Sequence, residues 1–514
     1  MSSISKSNPK GAPLSKTESS SGGVVQDVRL GPAPQLRQNR SFISILGMAL
    51  AITAVPFGVG SPLMSTVYGG GQLSLFVGVL VVVILQSTVA VSLGELASRY
   101  PTSSGVYYWS YRLMDEKHYQ NSMAYFTGWV WLIGNWTIAL SVNFGFASLI
   151  VATASTYNPE WTASANETLF VFFGICVMIF LICAVADRAL PLVDTAAALW
   201  SVITVVAVLL ALSITAKAGR HSASYGLTHY DSGLSGWGHG FSFFIGLLPP
   251  AYTLSAIGMV MSMAEECSSP EIEVPRGISL CVPIGGVVML VFVLPICFTL
   301  PALEDILTAP YGQALPYILA TVTGSKPLTL VLLIMVLLVT LFCSISITTT
   351  ASRCTWALSR GGVLPFSRIW SRTIFDQPIY ALALVTVLQM LLGCINLGST
   401  SAFTAFVSMG VIALALAYLI PISISLVLGR TEVSKARWTL GRRLGTMANS
   451  VAVCWILFQL VLFSMPAALP VTSVSMNYAS VVLVGFLFLC AIYYFAWGRK
   501  NVQGPKDDIT IVVY

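Results

Sequence analysis

Met48–Tyr68 reads MALAITAVPFGVGSPLMSTVY. The stretch is long and apolar enough to cross a bilayer, which takes about 20 residues of helix. Yet Pro56, Gly58, Gly60, Ser61 and Pro62 fall within seven consecutive positions of it. Proline removes a backbone donor and glycine adds backbone freedom, so the spacing predicts a helix broken near mid-span, at Gly58–Ser61. In hydrocarbon, freed backbone groups are tolerated only where protein or a wet cavity satisfies them. A broken span is therefore a pointer to a binding site.

A second such stretch is Phe241–Glu266, FSFFIGLLPPAYTLSAIGMVMSMAEE, with Pro249, Pro250 and Gly258 inside it. Apolar runs long enough to span lie near 43–66, 73–97, 123–154, 168–186, 191–215, 241–262, 280–300, 327–352, 379–397, 402–428, 450–467 and 476–497. The broken runs are the first and the sixth. This pattern predicts an all-α membrane protein of twelve transmembrane helices: a 5+5 inverted repeat with helices one and six broken, plus two extra helices.

Composition agrees. Hydrophobic residues make up 56% of 514 positions and charged residues 9%, against about 25% charged in soluble domains. Mean hydropathy is +0.82. The formal charge of +6 comes from basic residues in short loops. None form an aromatic-interleaved patch, so nucleic acid is excluded as a partner and the lipid bilayer is the expected one. With the amino terminus placed in the cytoplasm, 23 of the 26 Lys and Arg fall on that side and only Lys217, Arg220 and Lys326 outside, as the positive-inside rule requires. Both termini are then cytoplasmic. Residues 1–42, rich in Ser, Pro, Gly and Gln, read as a disordered tail. Residues 43–498 form the membrane domain and 499–514 a C-terminal tail. Asn166, in Asn-Glu-Thr, falls in an outer loop and is the glycosylation candidate, although the loop is short for that use. The ten cysteines lie in or beside apolar runs and read as small buried hydrophobes.

The breaks carry chemistry. The N–H groups at Gly58, Gly60 and Ser61, with the positive end of the following half-helix, suit a carboxylate. Free carbonyls and the hydroxyls of Tyr252, Thr253 and Ser255 suit an ammonium group. No phosphate loop, dinucleotide glycine motif, nucleophile elbow or Cys/His metal box is present. An enzyme, a cofactor and a metal site therefore have no residues to rest on.

Four blocks resemble a known group. They are LGELASRYPTSSGVYYWSYRL (Leu93–Leu113), MAEECSSPEIEVPRGI (Met263–Ile278), ASRCTWALSRGGVLPFS (Ala351–Ser367) and MNYASVV (Met476–Val482). Together they are similar to the amino acid–polyamine–organocation superfamily, and within it to the fungal amino acid/choline transporter family, which includes permeases for 4-aminobutyrate and choline. The resemblance implies a substrate held between helices one, three, six and eight. It makes Asn135, Trp136 and Ser344 candidates beside the residues of the breaks. Ser, Thr and Asn in membrane helices more often bond neighbouring helices. The family pattern often has an acidic residue and a histidine in the sixth helix, where this chain has Gly258 and Ser262. A missing counter-ion at Gly258 favours a zwitterion, or a larger substrate that uses the space.

Glu95, Asp187, Arg188, Asp194, Glu265, Glu266 and Arg353 fall near the expected cytoplasmic ends of their helices. The fold that the resemblance implies brings Glu265 and Glu266 near the block with Glu95, Arg99 and Arg112, so an inner gate is expected, with Glu95, Glu265 and Glu266 set against these arginines. The expected function is a secondary active transporter in the plasma membrane for a small amine-bearing solute: an amino acid, 4-aminobutyrate or choline. The resemblance implies a proton as the coupling ion. The alternatives are a nutrient receptor on a transporter fold and an exporter of a metabolite.

Overall fold

The structure is a computed structural model. It describes residues 27–30, 36, 38–114, 117–158, 160–216, 219–473, 475–499, 502, 504–505 and 509–512. Most of the two expected tails lies outside the described residues. The chain divides into two units. One comprises Met1–Ala33 and Asp507–Tyr514 and contains an antiparallel strand pair, Asp27–Leu30 with Ile509–Val512, Asp27 opposite Val512. The other, Pro34–Lys506, is a helical bundle.

The bundle contains 12 helices long and apolar enough to cross a membrane, among the described residues. These spans one to twelve are Phe42–Gly60, Gln72–Arg99, Tyr119–Tyr157, Ala165–Val185, Asp187–Thr215, His239–Glu266, Pro270–Thr299, Lys326–Arg360, Ile379–Gly398, Phe403–Val427, Arg442–Leu462 and Ala479–Gly498. Every apolar run read from the sequence corresponds to one of them.

Span one is broken, but upstream of Gly58–Ser61. Its first half, Phe42–Thr53, ends at Ala54, which is left-handed at φ 38° and ψ 55°, and helix resumes over Val55–Gly60. The cause is Pro56, which acts backwards along the chain. It cannot donate to the Ile52 carbonyl four residues earlier, and its ring crowds that oxygen. The freed Ile52 carbonyl instead accepts from Cys343 Sγ of span eight at 3.4 Å. Beyond the break the ladder is ordinary: the Gly58 N–H bonds Ala54 O and the Ser61 N–H bonds Phe57 O, both at 2.8 Å.

Span six is broken twice. It runs as His239–Ile245, Leu248–Thr253 and a 3₁₀ helix over Ile257–Glu266. Pro249 and Pro250 fall in the first turn of the middle piece, where a missing N–H is no loss. At the second break the Leu254 carbonyl accepts from Gln86 Nε2 of span two at 3.0 Å, and Gln86 Oε1 accepts from Trp455 Nε1 at 2.9 Å. A 3₁₀ run of 10 residues is long for its weaker hydrogen-bond geometry.

The two broken spans meet closely. A Cβ on Gly69, just beyond span one, would lie 2.4 Å from Gly246 Cα, and one on Gly58 would lie 2.8 Å from both Thr253 Oγ1 and the Thr53 carbonyl. Glycine at 58 and 69 is thus required by close approach.

Candidate functional site

Spans one, three, six and eight converge on a small void of about 10 Å³, room for about one water. Its walls include Thr53, Phe57 and Gly58 from span one, Ile138 and Val142 from span three, Tyr252, Thr253 and Ser255 from span six, and Cys343 and Ile347 from span eight. Three of the hydroxyls here spend their protons on backbone. Thr53 donates to Leu50 O at 2.8 Å, Thr253 to Pro249 O at 2.7 Å and Ser255 to Tyr252 O at 2.8 Å. What they leave is lone pairs, so the void presents acceptors to a donor such as an ammonium.

A cavity of about 610 Å³ lies beside it. Tyr252 borders both spaces, and its hydroxyl is 3.0 Å from Ser141 Oγ. Ser61, Ser141 and Tyr252 line the cavity along with Asn396, Thr404, Ser408, Asn477 and the rings of Phe144, Phe463 and Tyr478. Among the described residues no Asp, Glu, Lys or Arg lines it. The lining mixes apolar walls with neutral hydroxyls and amides, as small-molecule sites do.

The residues expected from sequence therefore divide. Gly58, Ser61, Tyr252, Thr253 and Ser255 border one or both spaces. Gly60 packs on Leu315, where a Cβ would come within 2.6 Å of Cδ2. Asn135, Trp136, Gly258 and Ser344 border neither space. Asn135 Nδ2 bonds its own helix at Trp131 O, 2.8 Å away, and Trp136 Nε1 donates to Thr355 Oγ1 at 2.8 Å. Ser344 is fully buried, and its Oγ has no hydrogen-bond partner among the described residues. The space at Gly258 is not available to substrate: a Cβ there would lie 2.7 Å from Cε1 of Tyr418, whose ring occupies it. Nor are the N–H groups of Gly58 and Ser61 free for a carboxylate, since the resumed helix uses both. Asn166 is exposed in the first turn of span four, while Thr168 of the same sequon is buried and donates to Ser164 O at 3.2 Å.

At the Arg40 end of the bundle, an ion-pair cluster joins four elements. Arg40 Nη1 lies 2.7 Å from Asp194 Oδ2 of span five, and Arg40 Nε lies 2.9 Å from Glu266 Oε2 of span six. Glu266 Oε1 takes Arg353 Nε of span eight at 2.9 Å, and Arg353 Nη2 takes Asp187 Oδ1 at 2.5 Å. Ser346 Oγ donates to Asp194 Oδ1 at 2.8 Å. The Asn39 and Arg40 N–H groups both donate to the Glu266 carbonyl. Burial alone would push the Arg40 guanidinium down, but the Asp194 and Glu266 carboxylates outweigh it and hold the group charged.

The expected gate residues are present with other partners. Glu265 pairs with Arg360 at 2.9 Å, Glu95 with Arg430 at 2.8 Å and Arg99 with Glu432 at 2.7 Å, while Arg112 stands 6.0 Å from the centre of the Tyr100 ring. Sequence reasoning missed Arg40, which it left in the tail. The signal was there: a basic residue one position before Ser41, the N-cap of span one.

A family model described as amino acid permease matches residues 41–487. The chain belongs to the amino acid permease family. The permease is 29% identical to the polyamine transporter TPO5 of Saccharomyces cerevisiae, over 91% of this chain and 76% of that protein. It is 27% identical to a choline transporter of the same organism, over 95% and 86%. It is 28% identical to the amino-acid permease BAT1 of Arabidopsis thaliana, over 95% and 97%. The matched region runs from Ser41 into span twelve and contains both broken spans, the described lining of the 610 Å³ cavity and every member of the ion-pair cluster except Arg40.

Proposed function

We propose that this permease is a secondary active transporter of a small amine-bearing solute, working by alternating access around its two broken spans. The observation that carries the reading is the uncharged 610 Å³ cavity at the Ser61 end of span one, with the ion-pair cluster at the Arg40 end of the same span. Between them lies the collapsed void of acceptors. That arrangement supports a state closed at the cluster, in which solute enters the cavity and the void opens to receive its amine.

The same cavity narrows the substrate class. Relatives include proteins named for polyamines, choline and amino acids. A polyamine carries several positive charges, and burying these without carboxylates is costly. A zwitterionic amino acid, 4-aminobutyrate or a single quaternary ammonium fits an uncharged lining better. Tyr252 borders the cavity, and its ring would hold such a cation by its face. Spans one to five and six to ten act as inverted repeats, both termini lie in the cytoplasm of a plasma-membrane protein, and a proton gradient drives uptake.

Flux in proteoliposomes tests this. Purified protein should accumulate radiolabelled amino acids, 4-aminobutyrate or choline against a gradient when the lumen is alkaline, and should transport spermidine poorly. Saturable binding with no flux in any gradient would turn the reading into a receptor. Fast spermidine flux would overturn the substrate class.

A further inference from the structure

We propose that the loop joining spans ten and eleven holds a binding site for the phosphoryl group of a lipid headgroup. A cavity of about 180 Å³ there is lined by Gly429, Arg430, Thr431, Ser434, Gly441 and Arg442. The side chains among these residues are two guanidiniums and two hydroxyls, and no Asp or Glu is among the described residues that line it. Such a lining is built to donate hydrogen bonds to an anion.

Arg430 gives the clearest sign. It is 3% exposed. Its Nη2 donates to both oxygens of Glu95 at 2.8 Å, and its Nη1 donates to Gly445 O at 2.9 Å. Its Nε has no hydrogen-bond partner among the described residues. A buried N–H left unsatisfied is costly, so an acceptor in the cavity that reached Arg430 Nε would be stabilising.

The helix behind it adds to the field. Arg442–Leu462 is 21 residues long, and its N-cap, Gly441 at φ 77°, has no side chain to cap the first-turn N–H groups. Those groups and the positive dipole end favour an anion at this place. The surrounding loop, residues 428–443, carries Arg430, Lys435, Arg437, Arg442 and Arg443 against the single acid Glu432. Glu432 is itself engaged by Lys435 at 2.6 Å and Arg99 at 2.7 Å.

The neighbours say what kind of anion it is. Val427, Leu444 and Met447 are 83%, 62% and 65% exposed where spans ten and eleven meet the loop. A phosphoryl cavity flanked by exposed apolar side chains matches an amphiphile, with its phosphate in the cavity and its acyl chains along the two spans. Because Arg430 also holds Glu95 of span two, occupancy would tie spans two, ten and eleven together.

The test uses the full chain in phosphatidylcholine nanodiscs doped with phosphatidylinositol 4-phosphate, read by native mass spectrometry, and the same protein in detergent with inorganic phosphate, read by thermal unfolding. Wild type should retain the phosphoinositide over phosphatidylcholine. Arg442→Gln should lower that retention about fivefold to tenfold. Arg443→Gln, the same charge change outside the cavity, should leave it unchanged. Should Arg442→Gln fail to elute as a monodisperse protein, Thr431→Val reads the same cavity. Stabilisation of wild type but not the variant by inorganic phosphate, without phosphoinositide preference, would support the phosphoryl site and assign it to free phosphate. Equal losses in Arg442→Gln and Arg443→Gln, or no retention and no stabilisation, would overturn the site.

Discussion

The Arg40 guanidinium lies 2.7 Å from the Asp194 carboxylate, with the two side chains 1% and 2% exposed. The pair fastens the residue just before span one to span five, and through Glu266 and Arg353 the fastening reaches spans six and eight. Removing one partner of a buried pair leaves the other charge uncompensated and costs about 3–5 kcal/mol. Arg40→Ala should therefore depopulate the state closed at this end. Cys267 is buried next to Glu266, whereas Cys394 and Cys454 are exposed. In a background with the exposed pair replaced by serine, a hydrophilic maleimide should label Cys267 at least tenfold faster in Arg40→Ala than in the parent. Equal rates would mean that the cluster does not control access.

Glu265 and Glu266 are adjacent yet should behave differently. Glu266 bridges Arg40 and Arg353 within the cluster, whereas Glu265 pairs with Arg360, whose side chain is 18% exposed. Water can replace part of the second interaction but little of the first. Glu266→Gln should abolish uptake, and Glu265→Gln should lower it by about threefold or less. Initial rates at matched surface expression decide the order, and a more damaging Glu265→Gln would reverse the assignment of the bridge.

Gly258 exists to admit Tyr418. A Cβ at 258 would lie 2.7 to 2.8 Å from three atoms of the phenol, and overpacking of this kind costs about 1–3 kcal/mol. Gly258→Ala should lower the melting temperature of the purified protein. Tyr418→Leu in the same chain should recover part of the loss, because residues in contact are energetically coupled. Additive losses in the double variant would show that the ring and residue 258 do not meet.

How much of this was legible in the sequence follows from the range over which each effect acts. Span number and the two breaks are local: apolar length and proline chemistry are written in consecutive residues. Even there the first break lies at Ala54, because Pro56 disrupts the turn before it rather than the glycines after it. The ion pairs are not local. Arg40 and Glu266 are 226 positions apart, so the charged residues near the helix ends were visible while their pairing was not. The glycine at 258 looked like vacant space for the same reason: the ring that fills it comes from span ten. Asn135 and Trp136 show the converse, since these two side chains are consumed by a backbone and a helix-to-helix bond while Ser141 of the same span lines the cavity.

Tyr252 borders both the cavity and the void, and its hydroxyl reaches Ser141 at 3.0 Å. Tyr252→Phe removes that hydrogen bond and keeps the ring. The expected result is a rise in KM of about two- to tenfold, the worth of one neutral hydrogen bond, with the maximal rate little changed. Tyr252→Leu removes the ring as well and should raise KM further if the face holds a cation. Identical KM values for Phe and Leu would exclude the ring from recognition.

Charge is the variable that separates the substrate classes among the relatives, and the cavity offers a place to set it. Ser408 lines the 610 Å³ space, which has no formal charge among its described lining residues. Ser408→Asp places a carboxylate there. A dication or polycation gains more from that charge than a zwitterion does, because the zwitterion's own carboxylate is repelled by it. At an effective dielectric of about 20, each nearby charge pair is worth several kcal/mol before desolvation is subtracted. Uptake of spermidine relative to a neutral amino acid should rise about tenfold or more in Ser408→Asp, and the gain should shrink at high ionic strength where the cavity is wet. Ser408→Asn, of the same shape without the charge, should leave the ratio unchanged. If both variants shift the ratio alike, the cavity selects by size, and its missing charge does not explain which amines pass.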